Sequence, residues 1–300
     1  MPFHHATCEA SVTHLTRRQL LAAAGFAAAA PAIEASVHIG AHGPGDGRPV
    51  IPGFTLERFR HSGDTRDVYV QGEGAPVLIL HEISGMSWPT ILLAQRVADR
   101  GFRAYVPRLF GGVGQRSGFK GLLQSCVGPD WDCSDPDGTS RILDWIHGLT
   151  EDIARRNPDR RIGAIGMCLT GAFPLALMDV PQMRAAVLSQ PALPLRGNAE
   201  RRHQALGLSA DEIGRATGRE DARFLAVRFS ADALCRKERF ETLERLLEER
   251  VETVVIPSGP GTEFPEDAHA VLTGWYHHER GNPTREAFEK VVAFLETWLE

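Results

Sequence analysis

The sequence predicts a doubly wound α/β domain, a mostly parallel sheet with helices on both faces. Three observations predict it: short unbroken apolar runs, helical apolar periods between them, and no Pro/Ser-rich linker to divide the chain. Strands that alternate with helices need crossover connections, and these place helices on both sides of a parallel sheet. Residues 76–81 (Pro-Val-Leu-Ile-Leu-His) are the first such run, the signature of a strand buried on both faces. A helical pattern follows, with Ile91, Leu92, Ala94, Val97 and Ala98 on one side, and then a strand at 103–107. Residues 139–157 space Ile142, Leu143, Ile146, Leu149 and Ile153 along one helix face, with Thr139 or Ser140 as N-cap and Pro158 just past the end. Further strands are expected at 161–165, 185–190, 223–229 and 252–257, with helices between them. A last helix after Thr284 turns Phe288, Val291, Val292, Leu295 and Leu299 inward.

Composition narrows the class of function. Of 300 residues, 43% are apolar and 24% charged, which excludes a disordered chain, a collagen-like repeat and a disulfide-dense miniprotein. A balance of 33 Lys and Arg against 38 Asp and Glu provides no basic face for nucleic acid. The densest acidic stretch, Glu238 to Glu249, is interleaved with Arg and Lys and reads as a solvated helix face.

The first 35 residues have the layout of a twin-arginine export signal: Arg17-Arg18, then Leu20-Leu21 and an apolar run from Ala22 to Ala30, and small residues around Ala32 and Ala35. An apolar run of roughly a dozen residues is too short for a bilayer core that needs about 20, so no stable membrane insertion is expected. Export to the periplasm or medium follows if the signal functions, and a cytoplasmic location if it does not. Residues 36–64 read as a Gly/Pro-rich lead, and 65–300 as one domain. Cys126 and Cys133 could pair in an oxidising compartment or remain free thiols, since spacing alone does not establish the geometry. With no second cysteine pair and no His-Glu-x-x-His, a zinc site has little support, and no organic cofactor is implied.

The strongest chemical signal is Gly166-Met167-Cys168-Leu169-Thr170-Gly171, which runs from an apolar strand through a nucleophile into a small-residue helix. That is the context of a nucleophile elbow, with Cys in place of Ser. Gly166 leaves room beside the sharp turn, and the helix start behind Cys168 favours the thiolate and offers backbone N–H groups. Thr170 stands where a second glycine is usual, and Gly171 comes one position late. The competing reading is a buried structural cysteine. Acid and base are expected later in the chain, in that order. Asp232 follows the strand at 223–229, with Asp267 as the competing acid; His269 follows the last strand, with His277 and His278 as competing bases.

Together with His81-Glu82-Ile83-Ser84-Gly85-Met86 and the segment from Gly101 to Phe110, these motifs look like the dienelactone hydrolase family of α/β-hydrolases, over about residues 65–298. The resemblance implies a triad of Cys168, Asp232 and His269. It matches Glu82 to a glutamate that contacts the resting cysteine and helps ionise it, and assigns the oxyanion hole to the N–H groups of Leu169 and Ile83. Independently, Glu82 ends a buried strand, where a lone carboxylate needs a partner; a structural salt bridge is the alternative. Members that cleave dienelactone place an arginine four residues after the catalytic histidine, where this chain has Thr273. Arg108 or Arg116 could substitute from a loop. Segments 111–138 and 195–222 also look longer or differently composed than a minimal member needs. The reading is therefore a hydrolase of a small ester or lactone acting through a thioester, as a monomer or small homo-oligomer. A general carboxylesterase or thioesterase is the alternative, as is a thiol-redox protein that uses Cys168 with Cys235 as the resolving thiol.

Overall fold

The computed structural model describes residues 49–109, 111–114, 141–192 and 203–300. The export signal at 1–35, Cys126, Cys133, Arg116 and the N-cap candidates Thr139 and Ser140 lie outside the described residues. Eight strands form one sheet: β1 (Thr55–His61), β2 (Asp64–Gln71), β3 (Ala75–Leu80), β4 (Phe102–Pro107), β5 (Ile162–Met167), β6 (Met183–Ser189), β7 (Arg223–Phe229) and β8 (Val251–Ile256). Their order is β1-β2-β4-β3-β5-β6-β7-β8. The first two strands run antiparallel, and β4, β3, β5, β6, β7 and β8 are parallel.

Each central strand is apolar on both sides because both sides are covered. In β3, Leu78 and Leu80 face α2 (Arg141–Arg156), α3 (Ala210–Thr217) and α4 (Lys237–Leu247). Val77 and Ile79 face α1 (Trp88–Ala98) and α5 (Pro283–Leu299). All five apolar residues expected on the inner face of α2 are buried, as are all five of α5. In α1 the buried set is Thr90, Ile91, Leu93, Ala94 and Val97, so Leu93 takes the inward place expected for Leu92. Among the described residues no helix is long and apolar enough to cross a membrane.

Two elements differ from expectation. β1 falls inside the stretch read as a lead, and it closes on β2 through the two-residue turn Ser62-Gly63, both with positive φ (+46° and +83°). Its sequence, Thr-Leu-Glu-Arg-Phe-Arg-His, is that of a half-exposed edge strand and shows no apolar run. The second difference follows Cys168. In place of an α-helix there are two 3₁₀ segments, Cys168–Thr170 and Phe173–Leu177. Pro174 sits in the first turn of the second, Pro181 follows shortly after, and β6 already begins at Met183. A helix dipole therefore contributes little at Cys168, because that effect needs a run of aligned peptides.

Candidate active site

The site candidates gather where ligands bind in such sheets, beyond the carboxyl ends of the parallel strands. Cys168 immediately follows β5 with φ +54°, a left-handed conformation that a non-glycine residue holds only when its surroundings fix it. A Cβ on Gly166 would lie 2.2 Å from the Thr170 carbonyl oxygen and 2.7 Å from Pro174 Cδ. One on Gly171 would lie 2.5 Å from Pro191 Cα, so the late glycine is where the next loop presses on the turn. Thr170 has its own task. Its hydroxyl accepts the Met167 N–H (3.2 Å) and lies 2.9 Å from the Leu80 carbonyl and 3.2 Å from that of His81. It ties the nucleophile turn to the end of β3.

That end is fixed by His81. Its Nδ1 donates to the Glu82 carbonyl at 2.7 Å, and its Nε2 accepts the Leu109 N–H at 3.0 Å. Complete burial lowers its pKa from 6.5 to about 4, against the Glu82 carbonyl, which raises it; the ring is neutral. Gly85, at φ +95°, donates to the same carbonyl at 3.0 Å and shapes the turn that carries Ile83. Ile83 and Leu234 pack against Cys168, Leu169 and Ala192. Among the described residues, no loop or turn carbonyl takes the N–H of Ile83 or Leu169.

Asp232 and His269 meet directly. Oδ2 of the aspartate lies 2.6 Å from His269 Nδ1, and Oδ1 accepts the N–H groups of Leu234 (2.9 Å) and Cys235 (3.1 Å). Both side chains are buried. Burial alone would raise the Asp232 pKa, but the His269 charge and three hydrogen bonds hold it below the ordinary carboxylate value. Burial alone would lower that of His269, yet Asp232, and then Cys168, raise it well above 6.5. His269 Nε2 is buried with no aligned hydrogen bond among the described residues, although Cys168 is close enough to bias its charge.

The competing residues lie elsewhere. Asp267 is exposed. His277 packs edge-on against Phe264, and His278 against Tyr276. Cys235 is fully buried, and burial together with the Asp232 charge pushes its thiol far up. Arg108, the candidate carboxylate binder, is paired with Asp67 at 3.3 Å.

Glu82 forms no salt bridge among the described residues. Its Oε1 accepts from Thr273 Oγ1 at 2.8 Å and from Gln190 Nε2 at 3.2 Å. No described hydrogen bond joins it to Cys168, which departs from the contact that the resemblance implies. Sequence reasoning also missed three scaffolding residues. Gln190 follows β6 at φ +34°. Buried Arg239 donates to the carbonyls of Ala205, Pro191 and Leu234, and Arg228 to those of Phe229 and Ser230. The arginines clamp the loop that carries Asp232; a charged residue between apolar neighbours in a buried strand, as Arg228 is, was the available signal.

The family model described as "Dienelactone hydrolase family" matches residues 67–223. The fold is similar to that of a Klebsiella pneumoniae subsp. pneumoniae protein (19% identity, TM-score 0.57, covering 81% of this chain and 98% of that one). It is also similar to the dienelactone hydrolase of Anabaena variabilis (14%, TM-score 0.55, 82% and 98%) and to an esterase of Pyrococcus furiosus (14%, TM-score 0.54, 82% and 91%). No curated protein matches the sequence. At these identities the structural likeness establishes the α/β-hydrolase fold.

Proposed function

The chain belongs to the dienelactone hydrolase family, and from that premise we propose that it hydrolyses a small ester or lactone through a thioester on Cys168. The matched region includes Glu82, Ile83, Cys168 and Leu169, while Asp232 and His269 lie beyond it. The observation that carries the reading is the buried Asp232–His269 pair at 2.6 Å, with Cys168, held at positive φ, close enough to raise the charge of the ring.

In the proposed mechanism, His269 Nε2 takes the Cys168 thiol proton, and the thiolate attacks the carbonyl carbon. The Leu169 and Ile83 N–H groups receive the oxyanion, an effect on the order of 3 kcal/mol per donor. Collapse expels the alkoxide, which takes the proton from His269, and His269 then draws a proton from the water that cleaves the thioester. Asp232 keeps the ring in the productive tautomer and orientation. A redox role would need Cys235 to attack as a thiolate, which its burial beside Asp232 opposes. Turnover of aryl esters and lactones, with protection of Cys168 from iodoacetamide as a second readout, tests the proposal. Cys168→Ala should lose turnover with little change in melting temperature, and Cys168→Ser should be slow but active; full activity in Cys168→Ala would refute it.

We also propose that residues 1–35 direct export. The mature N-terminus from the native host should then lie between Ala32 and Ser36; an intact chain held in the cytoplasm contradicts this.

A further inference from the structure

Glu82 stands at the carboxyl end of β3, half-buried, and its carboxylate is engaged on one side. Oε1 accepts both the Thr273 hydroxyl and the Gln190 amide, whereas Oε2 accepts nothing among the described residues. Two donors converging on one oxygen set the direction in which the other points.

Gln190 is built for this. It is wholly buried and held at φ +34°, a strained conformation that persists where the surroundings over-determine it. Its N–H donates to the Val227 carbonyl at 2.6 Å, and its Oε1 accepts the Ser189 hydroxyl. With Oε1 turned to Ser189, the amide NH₂ faces Glu82; the opposite orientation would set two oxygens against each other. The same strand end continues into Pro191, which lies on Gly171, and Ala192, whose N–H donates to the Cys168 carbonyl at 2.8 Å. The segment that aims Glu82 therefore also backs the nucleophile turn.

We propose that Gln190, with Thr273, is a positioning residue that presents Glu82 Oε2 to the substrate as a fixed acceptor. The site then selects uncharged acyl groups bearing a hydroxyl or N–H near the carbonyl, over plain alkyl chains and over carboxylates. A donor on the substrate gains a charge-assisted hydrogen bond. A substrate carboxylate meets a fixed negative charge, with the Thr273 hydroxyl committed to Glu82 and Arg108 paired with Asp67. This inference rests on the esterase reading above.

The test uses three 4-nitrophenyl esters with the purified chain: 3-hydroxybutyrate, butyrate and hemisuccinate. Each kcat/KM is divided by the rate of uncatalysed hydrolysis. Wild type should favour hydroxybutyrate over butyrate by about tenfold, and hemisuccinate should be the poorest of the three. Gln190→Met and Thr273→Val should each bring the hydroxybutyrate-to-butyrate ratio towards one, chiefly through KM, and Thr273→Ser should keep it. A packing defect would lower all three esters together and leave the ratio unmoved. A ratio of one in wild type, or one that survives both variants, overturns the inference while leaving the esterase reading intact. Butyrate turnover that persists in Cys168→Ala overturns the esterase reading and this inference with it.

Discussion

The Asp232–His269 pair shows how few residues carry the proposed chemistry and how much backbone they need around them. Asp232 is held by two loop N–H groups as well as by the ring, so its direction is set before any substrate arrives. Asp232→Asn keeps the shape but removes the charge that raises His269. The expected result is a fall in kcat/KM of about a thousandfold or more, with the His269 titration moving to lower pH by NMR. An unmoved titration would mean that Asp232 does not govern the imidazole. Cys168, Asp232 and His269 were legible in the sequence because each follows a readable strand, and such a site needs its residue types in that order. Gln190 and the Glu82–Thr273 bond were not legible. They join the ends of β3 and β6 with a loop that follows β8, and spacing along one chain does not reveal which ends meet.

Among the elements, the nucleophile turn depends on β3 and β5 being neighbours, paired in parallel from Val77–Gly163 to Leu80–Gly166. Thr170 bridges them with a wholly buried hydroxyl, which explains a residue that departs from the usual elbow glycine. Thr170→Val would strand the buried Met167 N–H and the carbonyls that face it. It should cost about 1–3 kcal/mol in urea unfolding and slow turnover, because the turn loses its tether. A stability equal to wild type would show that this bridge is dispensable. The parallel strands were readable because both faces are covered and their residues are continuously apolar. β1 was not: as an antiparallel edge strand it needs apolar contact on one side, and its charges hide the pattern. The turn after Cys168 departs from the expected helix for a different reason. Its small apolar residues have helical character, but Pro174 and the short distance to β6 leave no length for an α-helix.

For the whole molecule, buried titratable groups set a window of stability. His81 has a folded pKa of about 4 against 6.5 unfolded, so the unfolded chain binds the extra proton between those values. Its contribution, on the order of 3 kcal/mol, is present above pH 6.5 and lost as pH falls towards 4. Asp232, lowered in the fold, adds a loss at still lower pH. His269 acts on the other flank: its raised pKa stabilises the fold below pH 6.5, and that stability is lost as pH rises through the folded value. Unfolding free energy against pH should therefore fall on both flanks, and a flat acid limb between pH 6.5 and 4 would contradict the neutral, buried His81. The proposed reaction is covalent: an acyl group is transferred to sulfur at the end of β5. Wild type mixed with excess 4-nitrophenyl butyrate and quenched in acid within the first turnovers tests it by peptide mass spectrometry. One butyryl group per chain is expected on the peptide that carries Cys168, lost when the ester is exhausted and absent in Cys168→Ala. Ester turnover with that peptide unmodified, or with the acyl group on another residue, would contradict it.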